Sequence, residues 1–165
     1  MNARPAPEWQ VAEWLNSDRD LTLVDFRGRT VAALAFQMLC PGCVSQALPQ
    51  LQRLRQAFSE DALAVVGLHT VFEHHEAQGR REVLAAFLHE NRILFPVGID
   101  SAGPDGLPRT FGEYRMQGTP TLLLIDGQRR LRMQKFGHID DLALGAAVAT
   151  LVAEDKRIDA PAAAT

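Results

Sequence analysis

Cysteine is nearly absent from this chain: two occur among 165 residues, Cys40 and Cys43, which is too few for a disulfide framework. Basic residues are not in excess either. The 17 Lys and Arg against 20 Asp and Glu leave a net charge of −3, and the cations are scattered, so nothing resembles a nucleic-acid footprint. No stretch approaches the roughly eighteen consecutive apolar residues that a membrane-spanning helix needs. There is no internal repeat. The opening "MNARPAPEWQVAEW" holds no apolar core of signal-peptide length and carries Glu8 and Glu13. Read from Met1 as the natural start, the chain is expected in the cytoplasm, where thiols are kept reduced. A chain from which an export signal had been removed would read the same way.

Composition is that of a globular domain, 47% apolar and 22% charged, and the length suits one domain over residues 1–165. Its core is expected over about residues 20–153. Residues 1–7 and 159–165, rich in Ala and Pro, are expected to be frayed ends. A short helix is expected from Glu8 to Leu15, anchored by Trp9 and Trp14. Leu21–Phe26 and Thr30–Phe36 read as strands about a turn at Arg27-Gly28, the second apolar enough to be central. From Val44 the apolar positions recur at helical spacing through Phe58, with Pro41 in the first turn and a kink expected at Pro49. Leu63–His69 is a further buried strand, and Val83 to Leu88 mark a helix ending near Asn91. Phe95–Asp100 reads as a strand and 101–108 as a loop. Thr119–Asp126 and Arg129–Phe136 then form a hairpin, and Asp140 or Asp141 caps a last helix. Strands alternating with helices predict an α/β fold with a central mixed sheet and helices on both faces.

This order puts "CPGC", Cys40 to Cys43, at the C-terminal end of a central strand, opening a helix. Ligands and chemistry in open α/β sheets gather at that edge. A thiolate is the attacking form of cysteine, and the unpaired N–H groups and dipole of a helix start favour it. The spacing lets Cys40, the more exposed, attack a substrate disulfide and Cys43 displace the product from the resulting mixed disulfide. Two ordinary buried thiols, or part of a metal clip, remain alternatives; a clip would want further ligands.

The pattern resembles the thioredoxin superfamily, most closely its TlpA-like and redoxin branch. The residues that carry the resemblance are "CPGC" after an apolar strand, "MQGTPTLLLID" from Met116 to Asp126, and Gly137 after the hairpin. It spans about residues 20–153. It implies a thioredoxin-like three-layer α/β/α fold with an extra N-terminal strand or helix. Eighty positions separate Cys40 from Pro120, which implies an inserted helix–strand unit. It also implies thiol–disulfide oxidoreductase activity, with Cys40 as nucleophile, Cys43 as resolving thiol, Pro120 as a cis-proline and Thr119 positioning the substrate. Disulfide-containing proteins or small thiols would be substrates, a cellular dithiol would supply electrons, and no cofactor is called for.

The chain departs from the family pattern in places. Leu39 stands where a Trp usually precedes the first Cys, Leu34 where thioredoxins bury an acid, and Gln46 where many TlpA-like proteins carry Glu. With both carboxylates missing, His69 at the end of its strand is a candidate base. His74, His75 and Glu76 read as a loop, and His89 and His138 as structural. Two rival readings stand. A peroxiredoxin-like thiol peroxidase would place Thr or Ser three residues before the Cys and Pro seven before it, where this chain has Gln37 and Ala33. A non-catalytic or metal-binding module on the same scaffold, with Cys40, Cys43 and His69 as ligands, is the other.

Overall fold

Every residue of Thr30–Phe36 and of Leu63–His69 is buried. In the computed structural model, which describes residues 3–160, these two segments are the central strands β3 and β4 of a seven-stranded sheet. The others are β1 (Arg4–Pro5), β2 (Val11–Leu15), β5 (Val97–Asp100), β6 (Thr121–Ile125) and β7 (Arg130–Phe136). Their order is β1-β7-β6-β3-β4-β5-β2. β3, β4 and β5 run parallel, while β6, β7, β1 and β2 add antiparallel pairings, so the sheet is mixed as expected.

Strand alternation sends side chains to opposite faces. Ala32, Leu34 and Phe36 of β3 enter one apolar cluster with α1 (Leu48–Ala57), α3 (Arg81–Glu90) and α5 (Asp141–Asp159). Val31, Ala33 and Ala35 enter the other, with Trp9, Trp14, Leu23, Phe26, and Phe111 of α4 (Arg109–Glu113). Leu34 thus spends the position of a buried acid on apolar packing, at 2% exposure. A short helix α2 (His75–Gln78) lies between β4 and α3, and α3 with β5 supplies the inserted helix and strand.

Three local expectations are corrected. Residues 11–15 form a strand and not a helix, because β2 pairs antiparallel with β5 over Gly98. A Cβ on Gly98 would lie 2.8 Å from the Val11 side chain and 3.3 Å from the Trp14 ring, so the glycine makes room for both. Trp9 and Trp14 nevertheless anchor the core, with ring centroids 6.2 Å apart. Leu21–Phe26 is not a strand. Asp25 accepts the Thr22 N–H at 2.7 Å and closes a 3₁₀ turn over Leu23–Phe26. At the N-terminus, Arg4–Pro5 pairs with Arg130 and Leu131 of β7 and is not frayed. Residues 161–165 and 1–2 lie outside the described residues.

Where a kink is expected at Pro49, the helix after the cysteines shows a widened turn just before it. Proline has no N–H to donate to the Ser45 carbonyl, and the backbone widens to a π-type turn over Cys43–Ala47, with the Leu48 N–H donating to the Cys43 carbonyl. The last helix is capped by Asp140, which accepts the Leu142 and Ala143 N–H groups at 2.9 and 3.3 Å.

On α5, the buried Asp155 accepts the Thr30 hydroxyl at 2.6 Å and the Gly127 N–H at 3.0 Å, tying the helix to the start of β3 and to the hairpin turn. Asp155→Ala leaves both donors buried without a partner. Urea unfolding of that variant should show a loss of about 2–3 kcal/mol.

Candidate active site

The register of β3 against β6 sets Ala35 opposite Thr121. Just beyond Ala35 and just before Thr121, two loops therefore meet at the same end of the sheet. One is Gln37–Gly42, the other Gly118–Pro120. The Thr119–Pro120 peptide bond is cis. Gly42 and Pro120 face each other, a Cβ on Gly42 falling 3.7 Å from Pro120 Cδ. Gly118 is crowded, since a Cβ there would stand 2.8 Å from the Phe136 ring.

Cys40 and Cys43 are free thiols in unequal surroundings. Cys40 is half-buried and donates its Sγ–H to the Thr119 carbonyl at 3.5 Å. The Val44 N–H, in the first turn of the helix, donates to the Cys40 carbonyl at 3.1 Å. Cys43 is fully buried. Burial, reinforced by a hydrogen bond with Cys40 and the charge that sulfur can carry, pushes the Cys43 thiol up to about 12. The geometry thus supplies an accessible outer sulfur and a protonated inner one within its reach.

A cavity of about 420 Å³ opens over Cys40. Leu39, Pro41, Phe72 and Phe136 give it apolar lining, and Glu73 and His74 also line it. Leu39 and Phe136 are both about half exposed, at 52% and 47%. A second cleft, of about 530 Å³, opens at the other end of β4 around Arg19, Arg29 and Phe95, away from both sulfurs.

His69 is placed beneath this loop and not beside Cys40 in the cavity. It is 2% exposed, its ring lies 5.3 Å from that of Phe36, and its Nε2 accepts the Met38 N–H at 3.3 Å. Burial holds the imidazole down to about 4, so it is neutral at physiological pH. His69 is therefore not gathered with Cys40 and Cys43 into a ligand set. Among the described residues, no group of three or more His, Cys, Asp and Glu is arranged to hold a metal ion.

Two relatives of known structure align along nearly the whole described chain. A crystallised thioredoxin-like superfamily protein is 55% identical with a TM-score of 0.88, and the alignment covers 90% of this chain and 96% of that one. This chain belongs to the thioredoxin-like superfamily. A thiol-disulfide isomerase from Corynebacterium glutamicum is 40% identical to this thioredoxin-like chain, with a TM-score of 0.85 and coverage of 90% and 96%. StoA from Bacillus subtilis, at 23% identity and a TM-score of 0.62, shares the fold. The DipZ proteins of Mycobacterium bovis and Mycobacterium tuberculosis are 29% identical over 133 residues, 79% of this chain. The chain spans only 18% of their length. No family model matches.

The sequence reading missed two residues that brace this thioredoxin-like site from beneath, Gln37 and Gln78. They are buried amides joined beneath the loop by a 3.1 Å hydrogen bond. Gln37 offered a faint signal, a polar residue directly after six apolar positions, Val31 to Phe36. Gln78 offered none.

Two measurements check these assignments of environment. Alkylation by iodoacetamide at pH 8, followed by mass spectrometry, should modify Cys40 in the Cys43→Ser variant. In Cys40→Ser the remaining Cys43 should stay unmodified over the same time. His69 is neutral in the fold and charges in the unfolded chain below 6.5, so the unfolded state binds the extra proton and stability falls as pH drops from 6.5 to about 4. Its share is about 3 kcal/mol at most. The opposite slope from Asp100, whose carboxyl burial raises, is common to wild type and variant. Denaturation of His69→Gln at a series of pH values should thus lose less stability across that window than wild type.

Proposed function

We propose that this chain is a dithiol–disulfide oxidoreductase acting through Cys40 and Cys43. The observation that carries the reading is the inequality of the two sulfurs: one faces an open cleft beside Thr119 and the cis-proline, and the other is sealed behind it. Cys40 as thiolate attacks one sulfur of a substrate disulfide. The Cys40–substrate disulfide forms, the substrate S–S bond breaks, and the first substrate thiolate leaves. Cys43 then gives up its proton to the departing sulfur and attacks the Cys40 sulfur. The Cys40–substrate bond breaks, the Cys40–Cys43 disulfide forms and the second substrate thiol leaves, so that the two electrons given up by the cysteines end on the two substrate sulfurs. A cellular dithiol returns the pair to its reduced form.

The high position of the Cys43 thiol fits this order. Burial is its main cause, and the further part that comes from Cys40 vanishes once Cys40 is tied up in the mixed disulfide. Thr119 and Pro120 position the substrate's backbone along the cleft, with Leu39 and Phe136 receiving apolar neighbours of its cystine. His69 serves as a brace for the Met38–Leu39 backbone in place of a base. The substrate class that suits an open cleft with apolar and polar walls is a disulfide in a polypeptide. The compartment proposed is the cytoplasm, which favours the reductive direction.

The peroxidase reading is disfavoured by Gln37. Its amide oxygen, at the position of the peroxide-activating hydroxyl, already accepts the Phe72 and Glu73 backbone N–H groups and the Gln78 side-chain Nε2.

Cys40→Ser should lose disulfide reduction by at least about a thousandfold, as expected for removal of a nucleophile. Cys43→Ser should instead accumulate a mixed disulfide visible by mass spectrometry. Full activity of Cys40→Ser, or turnover of hydrogen peroxide outpacing that of a peptide disulfide, would overturn the proposal.

A further inference from the structure

Resting on that reading, we infer that Gln37 and Gln78 are positioning residues: a buried amide pair that locks the three walls of the substrate cleft together and so sets how a polypeptide disulfide is presented to Cys40. Gln37 is 2% and Gln78 1% exposed. The Gln37 Nε2 donates to the Thr119 hydroxyl at 3.2 Å. Its Oε1 accepts the Phe72 and Glu73 N–H groups at 3.2 and 3.3 Å, and the Gln78 Nε2 at 3.1 Å. The Gln78 Oε1 accepts the Leu39 N–H at 3.1 Å, and its Nε2 also donates to the Glu73 carbonyl at 2.7 Å.

Two primary amides thereby use both ends of their side chains, and their partners outside the pair belong to three different segments. These are the turn before Cys40, the loop before Pro120, and residues 72–73 of the segment that leads into α2. Burial makes such bonds mutually dependent, because loss of one leaves its partner unpaired in a medium that does not replace water. None of those partners lies within a strand, so the pair adds nothing to the ladders that build the sheet. What it fixes is relative placement. Leu39 is the residue before the nucleophile, and Thr119 accepts the Cys40 Sγ–H through its carbonyl. Phe72 and Glu73 line the same cleft as Leu39 and Phe136. A small disulfide needs only an accessible Cys40 sulfur, whereas a polypeptide must lie along all three walls at once.

The test is Gln78→Met, which keeps side-chain length and removes the hydrogen bonds. The second-order rate with a small aromatic disulfide and kcat/KM on a disulfide-linked peptide are measured side by side. The peptide value should fall at least about tenfold while the small-disulfide rate stays within about threefold. An equal fall in both would mean loss of folded protein alone, and no fall in either would mean the pair is idle; both results overturn the inference. Should that variant fail to fold, amide hydrogen exchange of the wild type decides. The Leu39 N–H should be protected at least about a hundredfold over an unstructured peptide, and exchange at the unstructured rate removes the pair. A wild type inactive on both disulfides would sink the oxidoreductase reading itself, while the exchange measurement would still judge the amide pair.

Discussion

The antiparallel register between β3 and β6 is the constraint on which this molecule depends. It runs from Val31 opposite Ile125 to Ala35 opposite Thr121, through residues buried on both faces. A slip of one residue would turn every apolar side chain of β6 to the other face, so the pairing has one acceptable alignment. The same alignment brings the loop after β3 and the loop before β6 to one point. The Cys40 sulfur lies against the Thr119 carbonyl because the core beneath them admits no other fit.

Around that junction the polar groups divide their work. Cys40 is left accessible, Cys43 is enclosed, and His69 spends its free nitrogen on a backbone N–H below the loop. The two amides, Gln37 and Gln78, bind the surrounding segments to one another. Where other family members bury a carboxylate, Leu34 packs in the core. Besides Cys40, the ionisable side chains that line the cleft are Glu73 and His74.

The parts legible in the sequence were those with one dominant cause. Thr30–Phe36 and Leu63–His69 were recovered residue for residue, because strands buried on both faces read as continuous apolar runs. The cysteines and Thr119-Pro120 could be paired only through their resemblance to a known family, since no local pattern joins residues eighty positions apart. The misread segments were governed by distant or single contacts. Glu8–Leu15 has the composition of a helix, but Gly98 of β5 offers Val11 and Trp14 a place that only an extended chain can take. One carboxylate, Asp25, turned an apparent strand into a 3₁₀ turn. Gln78 is one glutamine among several in the sequence. Its importance comes wholly from what the fold brings to it.

The outermost strands have a consequence of their own. β1 is two residues long and ends in a proline. β2 is bulged between Val11 and Glu13, and Glu13 is engaged by Arg81. A short edge, a missing donor, a bulge and a paired charge are each poor templates for adding a foreign strand. The sheet is thus blunted at both margins, and a foreign strand with unpaired backbone finds no ladder there to extend.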